Sequence, residues 1–219
     1  MHTDLVNSYK TIDANFLSKG ECENIYAKLI SIKDKWFYLE HIPSFYFYPP
    51  GMYAVASKEY KNNLIHNSTL ESLFGIYYER LRDKISDTLG IQTQYHPNLN
   101  LPGFHISTNR GMTTENFHRD RFNNLPSFLS NEKMRFLKHK IFSFILPIKL
   151  PTDSESGLLL KTKNQSDTVF FKYHEGALAG WDGDLFHSVK PFAVNTENDF
   201  RITMQCHVAI SSKNSYIFW

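Results

Sequence analysis

Residues 200–208 alternate between apolar and polar side chains, and this pattern constrains the fold more than any other feature of the sequence. The apolar set is Phe200, Ile202, Met204, Cys206 and Val208, and the polar set is Arg201, Thr203, Gln205 and His207. Successive side chains of a β-strand point to opposite faces, so the stretch, extended to residue 210, predicts a strand with one apolar face. Its polar face has two interpretations, a solvated surface or a polar cavity inside a barrel.

Four further β-rich runs precede this strand and are separated by turn-forming residues. They cover residues 99–107, 141–149, 157–162 and 168–173. Several short strands in succession are typical of a sandwich or a barrel. The aromatic-rich segment 36–53, punctuated by prolines, predicts short strands and loops that could form one wall of a site.

Two helices are predicted in the first ninety residues, each begun by a Ser and a Glu three residues apart, which is the capping-box pattern. The pairs are Ser18 with Glu21, before an apolar periodicity that runs to about Lys33, and Ser68 with Glu71, before one that runs to Leu89. Gly90 then suits the left-handed residue that often ends a helix. We expect both helices to pack on the outside of the β-structure.

Length and composition indicate one globular domain over residues 1–219, with a helical part over about 1–90 and a β-core over about 91–219. Of the 219 residues, 42% are apolar and 21% are charged, which is ordinary for a folded protein. The 24 basic side chains are nearly balanced by 22 acidic ones. Nucleic acid is therefore not an expected partner, because phosphate binding requires a basic surface.

The sequence also predicts a cytoplasmic protein with no membrane partner. The first residues lack a basic segment followed by an apolar one, so no secretory signal is expected. The longest apolar run, residues 141–146, is far shorter than the roughly 20 residues of a membrane span. It is interrupted by Ser143 and followed by Pro147. Two cysteines, Cys22 and Cys206, are too few for a disulfide framework and indicate a reducing compartment.

Three residues predict a metal centre. His118 and Asp120 are two positions apart, so in an extended chain their side chains lie on one side and can bind one ion. His187, between a Gly-Asp turn and a proline, offers the third ligand. Two imidazoles and one carboxylate with the remaining positions open suit non-haem Fe(II). Each residue taken alone is equally typical of a structural role.

The polar face of strand 200–210 offers a complementary site for an organic acid. Arg201 can bind a carboxylate with two parallel hydrogen bonds, and Thr203, two residues further, can add a third donor to the same group. The order of these residues after His187 makes the pattern more specific than any single motif.

With these residues in this order, the chain resembles the Fe(II)- and 2-oxoglutarate-dependent dioxygenases. The matching positions are His118, Asp120, His187, Arg201 and Thr203, and the segment 12–18 before the first helix is similar to the start of many members. The resemblance implies a mainly β fold with flanking helices, whose core is a double-stranded β-helix, or jelly roll, with the metal at one open end. It implies Fe(II) as cofactor and 2-oxoglutarate and O2 as co-substrates, with Arg201 and Thr203 binding the distal carboxylate of 2-oxoglutarate.

Further side chains are candidates for the same site, although ordinary roles are equally compatible with each. His105 and Ser107 alternate on a predicted strand and are expected to contact the co-substrate or the ligands. Gln205 and His207 share the face of Arg201. Arg110 and Arg121 flank the metal motif and are candidate substrate-binding residues, Trp181 is expected to pack against its surroundings, and the segment 122–140 is a candidate lid or a surface loop.

Three functions are compatible with the sequence. The first is oxidation of a small molecule, such as an amino acid, a carrier-tethered intermediate or a natural-product intermediate, by hydroxylation or desaturation of a C–H bond with release of succinate and CO2. The second is oxidation of a peptide or protein side chain. The third is a jelly-roll binding protein without catalysis.

Overall fold

The part of the chain that the structure describes forms two α-helices and twelve strands. In the computed structural model, residues 8–39, 44–51, 63–108, 117–120, 140–152, 155–161, 167–191, 199–210 and 215–219 are described. The helices are α1 (Lys19–Ser31) and α2 (Asn63–Leu89), and a 3-10 turn covers Lys33–Lys35. The strands are β1 (Tyr9–Asp13), β2 (Phe37–Tyr38), β3 (Phe45–Tyr48), β4 (Gln94–Tyr95), β5 (Gly103–Thr108), β6 (Lys140–Lys149), β7 (Gly157–Lys161), β8 (Thr168–Lys172), β9 (Leu178–Asp182), β10 (His187–Val189), β11 (Phe200–Ile210) and β12 (Ser215–Phe218).

The strands form two sheets that pack face to face. The larger sheet has the order β1-β9-β6-β11-β5-β3-β2, with β12 paired to the far half of β11 and β4 beside β12. The smaller sheet has the order β10-β7-β8. Leu158 of β7 packs in one cluster with Ile145 of β6 and Trp181 of β9, so the two sheets share an interior. The predicted jelly-roll core with flanking helices is confirmed.

Helix α1 begins where the sequence predicts. The Ser18 hydroxyl accepts a hydrogen bond from the Glu21 backbone N–H, and the Glu21 carboxylate accepts one from the Ser18 N–H at 2.8 Å. Cys22, Ile25 and Leu29 then form the buried face of the helix. This face packs in the main hydrophobic core together with the apolar side of β11. That core lies between the helices and the larger sheet, outside the space between the two sheets.

Helix α2 begins earlier than predicted, so the assignment of Ser68 as its cap is wrong. The helix starts at Asn63, and Ser68 is an exposed residue inside it. Inside the helix, the Asn67 side chain donates to the Leu99 carbonyl at 3.0 Å and accepts from the Leu101 N–H at 2.9 Å, which ties α2 to the segment before β5. Gly90 follows the helix with φ +65°, as the sequence predicts.

The same contacts shorten the predicted strand at 99–107. Residues Leu99 and Leu101 bond to Asn67, and the Asn100 carbonyl accepts the Trp219 N–H at 2.9 Å. These backbone groups are therefore used outside the sheet, and β5 begins only at Gly103. Neither helix of the described chain combines the length and the apolar composition needed to cross a membrane.

The two serines that the sequence marks as helix caps should respond differently to substitution by alanine. Ser18→Ala removes a bonded cap and should lower the free energy of unfolding by about 1 kcal/mol. Ser68→Ala, at an exposed position inside α2, should change it by less than ~0.5 kcal/mol. Denaturant unfolding of the two variants beside wild type measures both values, and equal losses would contradict the two assignments.

Candidate metal centre

His118, Asp120 and His187 converge at one end of the sandwich. One ligand atom from each lies within 4.8 Å of the others. Oδ2 of Asp120 is 3.5 Å from Nε2 of His187, and Oδ1 is 3.9 Å from Nε2 of His118. The three residues predicted from the sequence are thus neighbours in space.

Backbone pairing brings these residues together. His118 and His187 face each other across an isolated antiparallel bridge, whose two N–H to carbonyl hydrogen bonds measure 2.9 and 3.0 Å. The Asp120 N–H donates to the Gly183 carbonyl at 2.9 Å, which continues the contact. The four-residue segment 117–120 therefore lies beside β10 at the edge of the smaller sheet.

His187 is held in the tautomer that a metal requires. Its Nδ1 lies 3.0 Å from the Leu185 carbonyl oxygen, which only accepts, so Nδ1 carries the proton and Nε2 presents its lone pair. The Trp181 ring packs on the imidazole at 5.1 Å, in agreement with the packing role expected for that residue. Burial lowers the pKa of His187, which favours the neutral form that binds metals.

Asp120 is kept ionised in spite of its burial. Burial alone would raise the pKa of its carboxyl, but His187, His207 and the hydrogen bond from Ser143 together hold that pKa below its ordinary value. The side chain of Asp120 is 11% exposed, whereas that of His118 is 52% exposed. The centre is therefore closed on the Asp120 side and open at His118.

The donor set fits the metal that the sequence predicts. Two imidazole nitrogens and one carboxylate oxygen on one side of a site, with the other side open, are the ligands of the facial triad that binds non-haem Fe(II). No other group of three His, Cys, Asp or Glu side chains in the described ranges has this geometry.

Arg201 lies inside the sandwich and not on a solvated surface. Arg201 and Thr203 are both 0% exposed. The Arg201 Nε donates to the Ser156 hydroxyl at 3.0 Å, and its guanidinium lies over the Tyr173 ring at 5.3 Å. Burial lowers the pKa of the guanidinium, and the Tyr173 phenol opposes that shift. Of the two interpretations of the polar face of β11, the solvated surface is therefore wrong, because this face is buried in the interior.

The neighbours of this face include the other sequence candidates. Ser107 pairs across the strands with Arg201, and His105 pairs with Thr203. The buried Ser107 hydroxyl has no hydrogen-bond partner among the described residues. The His105 ring contacts that of Phe45, with centroids 5.1 Å apart, so the predicted 36–53 segment packs against this candidate residue. Burial, and next the charge of Arg201, lower the pKa of His105 to about 3, so this imidazole is neutral at physiological pH.

Two candidate substrate residues, Arg110 and Arg121, lie outside the described residues, as does most of the predicted lid at 122–140. Their neighbour Arg119 is described, and its guanidinium packs over the Phe186 ring at 4.3 Å. That contact is on the side of the chain opposite to His118 and Asp120, as the alternation of an extended segment predicts.

Several residues of the site were missed by sequence reasoning. Ser143 hydrogen-bonds Asp120, and its signal was present as the single polar residue in the apolar run 141–146. Ser156 and Tyr173 accompany Arg201 without any sequence signal that marks them. Trp219 is fully buried against the rings of His105 and His207, and only the folded chain reveals this contact.

Comparison with solved structures identifies the fold. HygX from Streptomyces hygroscopicus, solved with nickel and 2-oxoglutarate bound, is 11% identical and has a TM-score of 0.57, over 94% of this chain and 84% of that chain. An N-substituted L-amino acid dioxygenase from Burkholderia ambifaria is 13% identical with a TM-score of 0.55, over 94% and 84% of the two chains. The protein has the fold of the non-haem, 2-oxoglutarate-dependent oxygenases.

A third structure with this oxygenase fold is the non-haem, α-ketoglutarate-dependent epimerase SnoN from nogalamycin biosynthesis. It is 10% identical with a TM-score of 0.54, over 94% of this chain and 82% of that chain. No protein-family model matches the sequence, and no curated protein matches it closely. The resemblance drawn from five residues is thus confirmed at the level of the fold.

Acidification should destabilise the metal-free protein in part through His105. Its folded pKa of about 3 lies below the ordinary value of roughly 6.5, so the unfolded chain takes up a proton first as the pH falls. The stability present above pH ~6.5 is then lost on the way to pH ~3. His105→Gln cannot bind that proton, so its free energy of unfolding should fall less steeply with pH than that of wild type. The difference between the two slopes should reach up to ~1.4 kcal/mol per pH unit.

Denaturant unfolding between neutral and acidic pH measures these slopes. The exposed His174→Gln is the matched control for the loss of an imidazole elsewhere. A His105→Gln slope equal to that of wild type would contradict the assignment.

Proposed function

We propose that the protein is an Fe(II)- and 2-oxoglutarate-dependent dioxygenase that hydroxylates or desaturates a C–H bond of a small molecule. The observation that carries the proposal is the convergence of His118, Asp120 and His187 within 4.8 Å, at one end of a sandwich whose interior holds the buried Arg201. The fold shared with HygX and the amino acid dioxygenase supports it.

In this proposal the chain holds the metal through Nε2 of His187, an imidazole nitrogen of His118 and the carboxylate of Asp120. Two neutral imidazoles and one carboxylate leave a site with a divalent ion at net charge near +1, which favours binding of a dianion. Bound Fe(II) would supply the oxidising chemistry, in which the substrate C–H, 2-oxoglutarate and O2 together give the hydroxylated substrate, succinate and CO2.

The remaining residues bind and orient the co-substrate. Arg201 would pair with the distal carboxylate of 2-oxoglutarate through its planar guanidinium, and the hydroxyl of Thr203 would bind the same group. Ser107, whose buried hydroxyl lies across from Arg201 and bonds to none of the described residues, can supply a further donor. Neutral His105 lines the same wall and adds no charge that would compete with Arg201 for the carboxylate.

The substrate class is the finer part of the proposal. We infer that the substrate is a small molecule such as an amino acid or a carrier-tethered intermediate. The amino acid dioxygenase of the same fold supports this choice. We place the protein in the cytoplasm, where its reduced cysteines Cys22 and Cys206 are stable.

Anaerobic addition of Fe(II) and 2-oxoglutarate to the wild-type protein should produce a visible metal-to-ligand charge-transfer band. His118→Ala and His187→Ala each remove a ligand and should abolish the band. His174→Ala, an exposed histidine away from the centre, is the matched control and should retain it. Absence of the band in folded wild type would refute the metal assignment.

Arg201→Met should weaken the use of 2-oxoglutarate rather than the binding of Fe(II), because the guanidinium binds the distal carboxylate. We expect the KM for 2-oxoglutarate to rise at least ~10-fold, the loss of one charge-assisted hydrogen bond being worth ~1.5–3 kcal/mol. Succinate release measures this over a panel of amino acids, peptides and metabolites. An unchanged KM would refute the role of Arg201, and turnover of peptides alone would favour the second function over the first.

A further inference from the structure

The carboxylate of Asp120 is tied to the larger sheet by a hydrogen-bonded chain of three side chains. The Ser143 Oγ lies 2.5 Å from Oδ2 of Asp120, and it lies 3.0 Å from Nδ1 of His207. Ser143 is in β6 and His207 is its partner across the strands in β11. These hydrogen bonds therefore connect two central strands of the larger sheet, β6 and β11, to segment 117–120 beside the smaller sheet.

The direction of each hydrogen bond follows from the proton count. An ionised carboxylate only accepts, so the single hydroxyl proton of Ser143 points to Asp120. Ser143 then has only lone pairs for His207, so Nδ1 of His207 carries a proton and donates. A hydroxyl that donates to an ionised carboxylate forms a charge-assisted hydrogen bond, which is about twice as strong as a neutral one.

The His207 ring is itself fixed by aromatic neighbours. The Trp219 ring lies parallel to it within 7°, with centroids 6.2 Å apart, and the Phe218 ring is 5.8 Å away. Trp219 lies against Gly103, where a Cβ atom would come within 2.0 Å of the indole Nε1. The glycine therefore leaves the space in which the indole holds the imidazole.

We propose that Ser143 and His207 are positioning residues that fix the orientation of the Asp120 carboxylate and thereby set the affinity of the site for its metal. This inference rests on the proposed metal centre. It gives Asp120 the counterpart of the hydrogen bond that the Leu185 carbonyl accepts from Nδ1 of His187. Hydrogen bonds to a metal ligand from residues that do not bind the metal themselves orient that ligand, and their loss typically lowers metal affinity 10- to 100-fold.

The test is anaerobic titration of the full chain with Co(II) alone. Two readouts report binding: the visible absorption of the bound ion and the increase in Tm. Ser143→Ala should raise the Kd for Co(II) about 10- to 100-fold and alter the absorption spectrum of the bound ion. Ser215→Ala, which removes a buried serine from β12, is the matched control and should bind Co(II) as wild type does.

A second pair of variants distinguishes positioning from a loss of packing. His207→Asn retains an amide N–H near the place of Nδ1 and should preserve most of the affinity, whereas His207→Leu removes the donor and should behave as Ser143→Ala does. If Ser143→Ala does not fold, this pair decides the proposal.

Wild-type affinity and spectrum in Ser143→Ala, or equal affinities in the two His207 variants, would overturn the positioning role and leave the metal centre intact. Failure of the folded wild type to bind Co(II) would overturn the positioning role and the proposed function together. The 2-oxoglutarate charge-transfer band reports on the proposed function separately from these titrations.

Discussion

Strand β11 has to bury two faces of opposite chemistry, and the rest of the structure depends on how each is covered. Ile202 and Met204, on the apolar face, leave water only because α1 and α2 pack over them. Arg201 and Thr203, on the polar face, lie where the smaller sheet closes over the larger one. A layer of helices on one side and a second sheet on the other are the consequence of one alternating sequence.

A polar interior of this kind is costly for a protein whose only requirement is to fold. A buried polar group without a partner costs about 1–3 kcal/mol, and a buried charge costs more. The sandwich nevertheless buries a guanidinium, two imidazoles and several hydroxyls, among them that of Ser107, which has no partner in the described part of the chain. Polar groups concentrated at one place in an otherwise apolar core are typical of a functional site.

The local signals were reliable where neighbouring residues decide the structure. The alternation around β11 predicted the strand at its observed bounds, and the Ser18 cap predicted the start of α1. The equivalent signal at Ser68 was wrong, because the helix already begins at Asn63. The strand predicted from residue 99 begins late, because Leu99 and Leu101 bond to Asn67 of α2. In the case of the strand, a contact distant in sequence outweighed a local preference.

The sequence by itself predicted two ligands of the candidate centre, since His118 and Asp120 lie on one side of an extended segment through local geometry alone. It also determined which residues of β11 share a face. Only the tertiary structure decided that this face points inward, that His187 lies opposite His118, and that Ser143 reaches Asp120. These contacts follow from the order and register of strands far apart in the chain, and periodicity within each strand does not specify them.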